Sequence, residues 1–334
     1  MKMIHLTIAV PAYNAEDCLA KCLESLSDPR LAGRLEVIVV DDGSTDATRR
    51  IAAQYAARIP DRFFVISQEN GGHGAAVNAG LGAARGKYFR IVDADDWVDA
   101  DGLCALLEAM EAFDPDVFVD ERVECAADSL KRIELPAEAR ADEVVDYLAL
   151  TDPRYDRNVD MHTLTVRTAL LREREITLLA HTYYVDMQYV IGVACFAETA
   201  LLVRRAVYNY RLGVGGQSVN PLNFARNYEQ HNRVLLACVG FFDRNSSLLT
   251  AERAAYVRRL LVLLANTQYN IAYIYNPDRR EGVRQARSLN RYLGSQIPWL
   301  SRATMGRRIA GRVLHTFGVG YERLQWIKSA AGRR

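Results

Sequence analysis

Between residues 5 and 124, short apolar runs rich in β-branched residues alternate with stretches of helical spacing, and that order leaves the chain few architectures to adopt. The runs are "HLTIAV" (5–10), "LEVIVV" (35–40), "RFFVIS" (62–67), "KYFRIV" (87–92) and "DVFVDERVE" (116–124). Between them, helical spacing covers 15–26, 47–59, about 73–84 and about 99–113, with Ser44 or Thr45 as the expected cap of the second helix. Strands apolar on both faces, separated by helices, predict an α/β fold with a mostly parallel sheet flanked by helices. From about residue 142 the alternation weakens. A strand is expected over 199–212, a glycine-rich loop opens at Gly213, and the chain beyond Pro221 is mainly helical. A boundary is placed near residue 220, and no internal repeat is visible.

Half of the 334 residues are hydrophobic, enough for one large core or two ordinary ones. Charge is nearly balanced, 42 basic residues against 41 acidic, so no whole-chain field gathers a polyanion and nucleic acid is not expected as a partner. The six cysteines are sparse and lack paired CxxC spacing, which predicts buried, reduced thiols. The opening residues carry no signal-peptide pattern and no run reaches the length of a membrane span. A cytoplasmic protein is expected.

Two strands end in acids: 35–40 runs into "DDGSTD" (41–46) and 87–92 into "DADDWVD" (93–99). In open α/β sheets ligands bind beyond the carboxyl ends of strands, so both clusters are expected on one cleft. Mutually repelling carboxylates on a turn can share a divalent cation, whose remaining coordination suits phosphate oxygens. Alternatively, such acids are turn formers and helix caps, with Asp99 capping the helix that follows.

The stretches "TIAVPAYNAEDCLAKCLESL", "LEVIVVDDGSTDAT" and "NGGHGAAVNAGLGAARGKYFRIVDADDWVD", in that order, closely resemble the inverting nucleotide-sugar glycosyltransferases of family 2, with their glycosyltransferase-A fold. The resemblance covers about residues 4 to 125 strongly and about 160 to 220 more loosely. It implies a catalytic domain over 1–220, its nucleotide-binding half about 1–125 and its acceptor half about 126–220, followed by a helical C-terminal region over 221–334. By similarity, Pro11, Ala12 and Tyr13 wall the nucleotide, Asp42 bonds its base and Asn78 faces it. Asp93 and Asp95, around Ala94, hold Mn²⁺ or Mg²⁺ and the donor, with Asp96 behind them. Asp41 is the structural turn residue, and His73 is an ordinary turn histidine that could approach the diphosphate.

The resemblance places the catalytic base in an acidic pair opening a helix. Here "AHTYYVDMQYVIG" aligns and Asp186 is assigned, with Val185 standing where many relatives have a second acid. Asp160 and Glu198 are reserves. In "YNYRLGVGGQSVN" Arg211 is expected to pair with phosphate, and Gln217 and Ser218 to line a lid. The implied activity is metal-dependent transfer of a sugar from a nucleoside diphosphate sugar, UDP being the expected carrier, to a saccharide or lipid-linked hydroxyl in bacterial surface polysaccharide or glycoconjugate synthesis. The alternative is a non-catalytic sugar- or nucleotide-binding scaffold. An aspartyl phosphatase is disfavoured because Trp97 stands where that chemistry needs a hydroxyl residue. From Gln296 onward, eight Arg or Lys with interspersed apolar residues face Glu322 alone, the composition of a helix that lies on an anionic membrane surface.

Overall fold

The computed structural model describes residues 4–213, 221–321 and 323. The chain divides into two compact units, Met1–Val214 and Gly215–Arg334. The expected boundary near 220, with Gln217 and Ser218, lies outside the described residues.

The first unit runs β1 (Leu6–Ala12), α1 (Leu19–Ser25), β2 (Leu35–Asp41), α2 (Thr48–Arg58), β3 (Phe63–Ser67), α3 (His73–Ala83), β4 (Tyr88–Ile91), β5 (Trp97–Val98), α4 (Ala100–Ala112) and β6 (Val117–Ala126). It continues through β7 (Ser129–Ile133), β8 (Val144–Asp146), β9 (Leu164–Arg167), α5 (Thr168–Glu173), α6 (Asp186–Phe196) and β10 (Thr199–Arg211). One sheet has the order β3-β2-β1-β4-β9-β6-β10-β5, with β7 on β6 and β8 on β10. β1 pairs parallel with β2 and β4, β2 with β3, and β6 with β10. Because β9 is antiparallel to both β4 and β6, those two strands again point the same way. Strands β1 to β4, β6 and β10 therefore share one direction and deliver their carboxyl ends to one rim.

Alternation along the strands divides the core. Leu6, Ile8, Val10, Val37 and Val39 pack with Leu19, Cys22 and Leu23 of α1 and Leu103, Leu106 and Leu107 of α4. Ile38 and Val40 turn to the other face and meet Ala76 of α3. Five of the cysteines are buried and Cys18 is half-buried, as their sparseness implied. The expected cap of α2 is corrected: its cap residue is Ala47, and Asp46 and Glu16 accept the Thr48 and Ala47 amides, each at 2.9 Å. Ser44 and Thr45 are drawn away to Asn14, whose positive φ of 46° turns the chain after β1. Asp99 caps α4 through the Gly102 amide at 2.8 Å.

At the middle of the sheet an ion pair is fully buried. Arg90 on β4 reaches across β9 to Asp120 on β6 with both of its terminal nitrogens. The same guanidinium donates to Thr165 Oγ1 at 2.9 Å and to the His162 carbonyl at 2.5 Å.

The second unit is helical: α7 (Pro221–Arg226), α8 (Tyr228–Asn245), α9 (Ala251–Asn270), α10 (Arg279–Gln296), α11 (Pro298–Ala303) and α12 (Met305–Thr316). Val234, Leu235, Phe242, Leu261, Leu264, Leu289, Leu293 and Leu300 form its buried interior. A π-helical turn, Ile271–Tyr275, borders a cavity of about 930 Å³ that Tyr273, Tyr275, Arg279 and His315 help to line.

Removing one partner of a buried ion pair leaves a charge without compensation, at a cost of about 3–5 kcal/mol. Arg90→Leu is expected to lose that much in urea unfolding followed by circular dichroism. Arg90→Leu combined with Asp120→Leu should recover most of the loss. A single variant as stable as the parent would refute this role for the pair.

Candidate active site

At the end of β1, Pro11 and Ala12 are buried, whereas Tyr13 is 53% exposed and presents its ring at the rim. Alongside, Asp41 Oδ1 accepts the Ser44 amide at 3.1 Å, the turn role expected of it. Asp42 is buried and holds the loop leading into α3. Its Oδ1 accepts from Gln68 Nε2 at 2.7 Å and Gly71 N at 2.9 Å, and its Oδ2 from Gly72 N at 2.7 Å. With one bond made, Oδ2 keeps one lone pair for a further donor. Gly72 has φ of 80°, a conformation that favours glycine, and so places His73 at the start of α3.

Asn78 is placed otherwise than expected. Its Nδ2 donates to the Leu178 carbonyl at 2.8 Å and its Oδ1 accepts the Leu178 amide at 2.9 Å, so both ends of the amide clamp α3 to the segment before α6. The Gly71 carbonyl accepts the His181 amide at 2.6 Å, and a Cβ at Gly74 would collide with the Leu179 carbonyl. This segment contains Glu175, His181 and Tyr184, all with positive φ. Such strained backbone persists only where surrounding contacts determine it, and here the clamp helps to set the entry into α6.

The rim acids lie on a tight turn closed by the Asp96 amide on the Asp93 carbonyl at 3.0 Å. The turn sends Asp93 and Asp96 to one place. Ligand atoms of Asp93, Asp96 and His162 lie within 4.8 Å of one another, and Asp95 is outside this trio. His162 had no sequence signal beyond a lone histidine before a short strand. Its ring stacks on Tyr208, with centroids 4.9 Å apart, and lies 5.0 Å from Tyr210. Burial depresses its pKa to about 4, so it is neutral near pH 7 and able to ligate. Asp96 accepts from Tyr208 OH at 2.6 Å and from the Arg211 amide at 2.7 Å.

His73, passed over in the sequence, joins this group through Nε2 to Asp93 Oδ1 at 2.9 Å. Burial lowers the affinity of the imidazole for a proton, but the Asp93 charge and hydrogen bond outweigh it and raise its pKa. Burial acts upward on Asp93, and the neighbouring His73 brings that carboxyl below its usual value. Loss of water, then the Asp93 charge, pushes Asp95 up, and the same two causes push Asp96 up to about 8.

Asp186 is the first residue of α6, behind a buried Val185 that supplies no side-chain cap. Its side chain is open to solvent, yet the surrounding walls strip enough water to raise its pKa, against the Met187 amide and the His73 charge. That His73 and Asp93 both act on it puts Asp186 on the same rim as the strand-end acids. The reserve acids are elsewhere engaged. Asp160 accepts the His162 and Thr163 amides and pairs with Arg122, while Glu198 immediately precedes β10, at the opposite end of the sheet. Arg211 ends β10, its guanidinium 5.9 Å from the Trp97 ring centroid, and Lys21 Nζ lies 3.0 Å from the same centroid.

This rim lies at the carboxyl ends of a sheet covered by helices on both faces, where ligands bind in open α/β sheets. Residues 7–163, just under half of the chain, match the family model described as glycosyl transferase family 2. The chain is 38% identical over 114 residues to glycosyltransferase GlyA of Streptococcus pneumoniae, covering 34% of this chain and 16% of that protein. Over 122 residues it is 39% identical to succinoglycan biosynthesis protein ExoO of Rhizobium meliloti, covering 36% and 33%. The chain thus spans a third or less of the length of these relatives. The S. aureus TarS 1–349 crystal structure aligns over 95% of this chain and 93% of that one, with a TM-score of 0.61 at 18% identity, a likeness of fold.

The raised pKa of Asp96 has a definite sign. Between its unfolded value near 4 and its folded value of about 8, the folded state holds a proton that the unfolded state has released, so its contribution to stability falls as pH rises. The metal-free protein should lose melting temperature from pH 6 to 8, and Asp96→Asn should flatten that slope. An unchanged slope in thermal melts of the variant would contradict the assignment.

Proposed function

We propose that the chain transfers a sugar from a nucleoside diphosphate sugar to an acceptor hydroxyl, with inversion at the anomeric carbon and Asp186 as general base. The observation that carries this reading is the convergence of Asp93, Asp96, His73, His162 and Asp186 at the carboxyl end of the sheet. Two carboxylates and a neutral imidazole within ligating distance of one another suit Mn²⁺, and carboxylates with water suit Mg²⁺. When bound, such an ion supplies Lewis-acid stabilisation to the charge of the departing diphosphate.

The remaining chemistry belongs to the chain. Tyr13, open at the rim, offers its ring to the base, and Asp42 Oδ2 can accept one N–H from it. Arg211, which ends β10, pairs in this reading with a phosphate oxygen. Asp186, with its proton affinity raised above that of an ordinary aspartate, takes the proton of the attacking hydroxyl. Displacement from the face opposite the leaving group then needs no protein nucleophile.

TarS 1–349, which shares the fold, has been crystallised with UDP and with UDP-GlcNAc. On that basis UDP is the carrier to try first. The acceptor is a saccharide or lipid-linked hydroxyl, in surface polysaccharide or glycoconjugate assembly on the cytoplasmic side.

With Mn²⁺ and a panel of UDP-sugars, the protein should release UDP. Asp186→Asn should lower kcat by about 10²-fold or more, while donor KM stays within about threefold. Asp93→Asn and Asp96→Asn should weaken Mn²⁺ binding in calorimetry more than Asp95→Asn does. Full UDP release by Asp186→Asn would remove the base assignment, and a product retaining the donor's anomeric configuration by NMR would remove inversion.

A further inference from the structure

Helix α12 is docked the reverse way round for a helix in water. The side it turns to its own unit is polar or small. Gly311 is buried against the Tyr273 ring, Arg308 bonds Asn290, and His315 Nε2 bonds the Arg279 carbonyl at 3.0 Å. The outer side carries the apolar residues: Met305 is 51% exposed, Ile309 56%, Val313 48% and Phe317, its C-cap, 74%. At about 100° per residue these four fall within an arc of roughly 120°, with Ala310 just beyond it. Arg312 borders one edge of the arc and Arg307 stands beyond the other, and α12 contains no acid. An amphipathic helix normally buries this kind of stripe in its own domain. Left outside and flanked by arginines, it has the pattern of a helix lying in the plane of a membrane.

The charge of the unit to which α12 belongs points the same way. The near-neutral whole chain conceals an asymmetry, because residues 1–214 hold 23 basic and 35 acidic residues while residues 215–334 hold 19 and 6. Arg280, Arg284, Arg287 and Arg291 add a row of exposed guanidiniums along α10, where Glu281 pairs with Arg284 at 2.6 Å. A strongly basic unit that also exposes a large apolar arc matches an anionic lipid surface better than nucleic acid, which offers nothing for Ile309, Val313 and Phe317 to enter. Among the described residues no helix is long and apolar enough to cross a membrane, so the contact is with the surface.

We propose that the C-terminal unit docks on an anionic lipid bilayer by inserting the Met305–Ile309–Val313–Phe317 face of α12, with Arg307 and Arg312 at the headgroups. This inference does not depend on the transferase reading. The experiment is flotation of the full chain with vesicles of phosphatidylcholine alone or mixed with phosphatidylglycerol. Partition onto the anionic vesicles should exceed that onto neutral ones by about tenfold or more and fall as salt rises. Ile309→Glu with Val313→Glu, and separately Arg307→Glu with Arg312→Glu, should each reduce it by at least about tenfold. All four positions are exposed, and an unchanged circular dichroism spectrum and melting temperature would establish that the variants remain folded. Equal recovery with both vesicle types, or full binding by the Ile309→Glu, Val313→Glu variant, would overturn the proposal. So would light scattering that shows this face joining two copies, or retention on RNA without vesicle binding.

Discussion

The buried Arg90–Asp120 pair is the constraint on which the rim depends. Arg90 sits on the strand whose next turn carries the acids, Asp120 lies two strands away, and the antiparallel β9 runs between them. The guanidinium also holds the carbonyl of His162, so one side chain relates the acidic turn to the imidazole that completes its ligand group. Well-packed hydrophobic residues in place of such a pair often give equal or greater stability. What the pair contributes here is alignment: a slip of β9 by one residue would withdraw Thr165 and His162 together from the Arg90 guanidinium.

At the rim itself the electrostatics are deliberately unfinished. Asp93 is compensated by His73, but among the described residues Asp96 accepts its hydrogen bonds from a phenol and a backbone amide, and Asp95 retains the repulsion of its neighbour. A carboxyl pushed to about 8 is an acceptor site that prefers either a proton or a metal ion. Tyr208 serves two purposes, since its hydroxyl orients Asp96 while its ring stacks on His162. Binding a cation would satisfy the same atoms that make the site strained without it. That links the acids' mutual repulsion to their use.

Much of this was legible in the residues because period-2 alternation and strand-end acids are local signals. All five early strands lie within a residue or two of their expected limits, and the acids fall on the rim as the strand direction required. What stayed hidden is non-local. β9 is four residues long and pairs with strands far away in sequence, so nothing near Leu164 announces that it will separate β4 from β6. His162 becomes a ligand candidate only through that pairing. Asp95 was assigned to the metal from the family resemblance, whereas the closeness of Asp93 to Asp96 and His162 follows from the turn and from β9, which no local signal announces. Asn78 looked like a contact for the nucleotide, but its partner is a backbone one hundred residues away.

Summing charge over the whole chain obscured a second kind of order, because a nearly zero net charge arises here from an acidic unit and a basic one. Their separation has a physical consequence for the chemistry at the rim. An acidic domain repels both an anionic donor and an anionic surface, with a reach of about 8 Å at physiological salt, so local cations must offset that field where the donor enters. Arg211 and Lys21, both beside Trp97 at the rim, are local cations able to do so there. They do not change the net charge of the domain as a whole. A separate unit with excess arginine can attract an anionic surface, because long-range attraction scales with net charge and not with the details of a cleft. Concentrating basic residues after residue 214 therefore lets one chain keep a cluster of acids at its rim and, on the proposed docking, still approach a negatively charged surface.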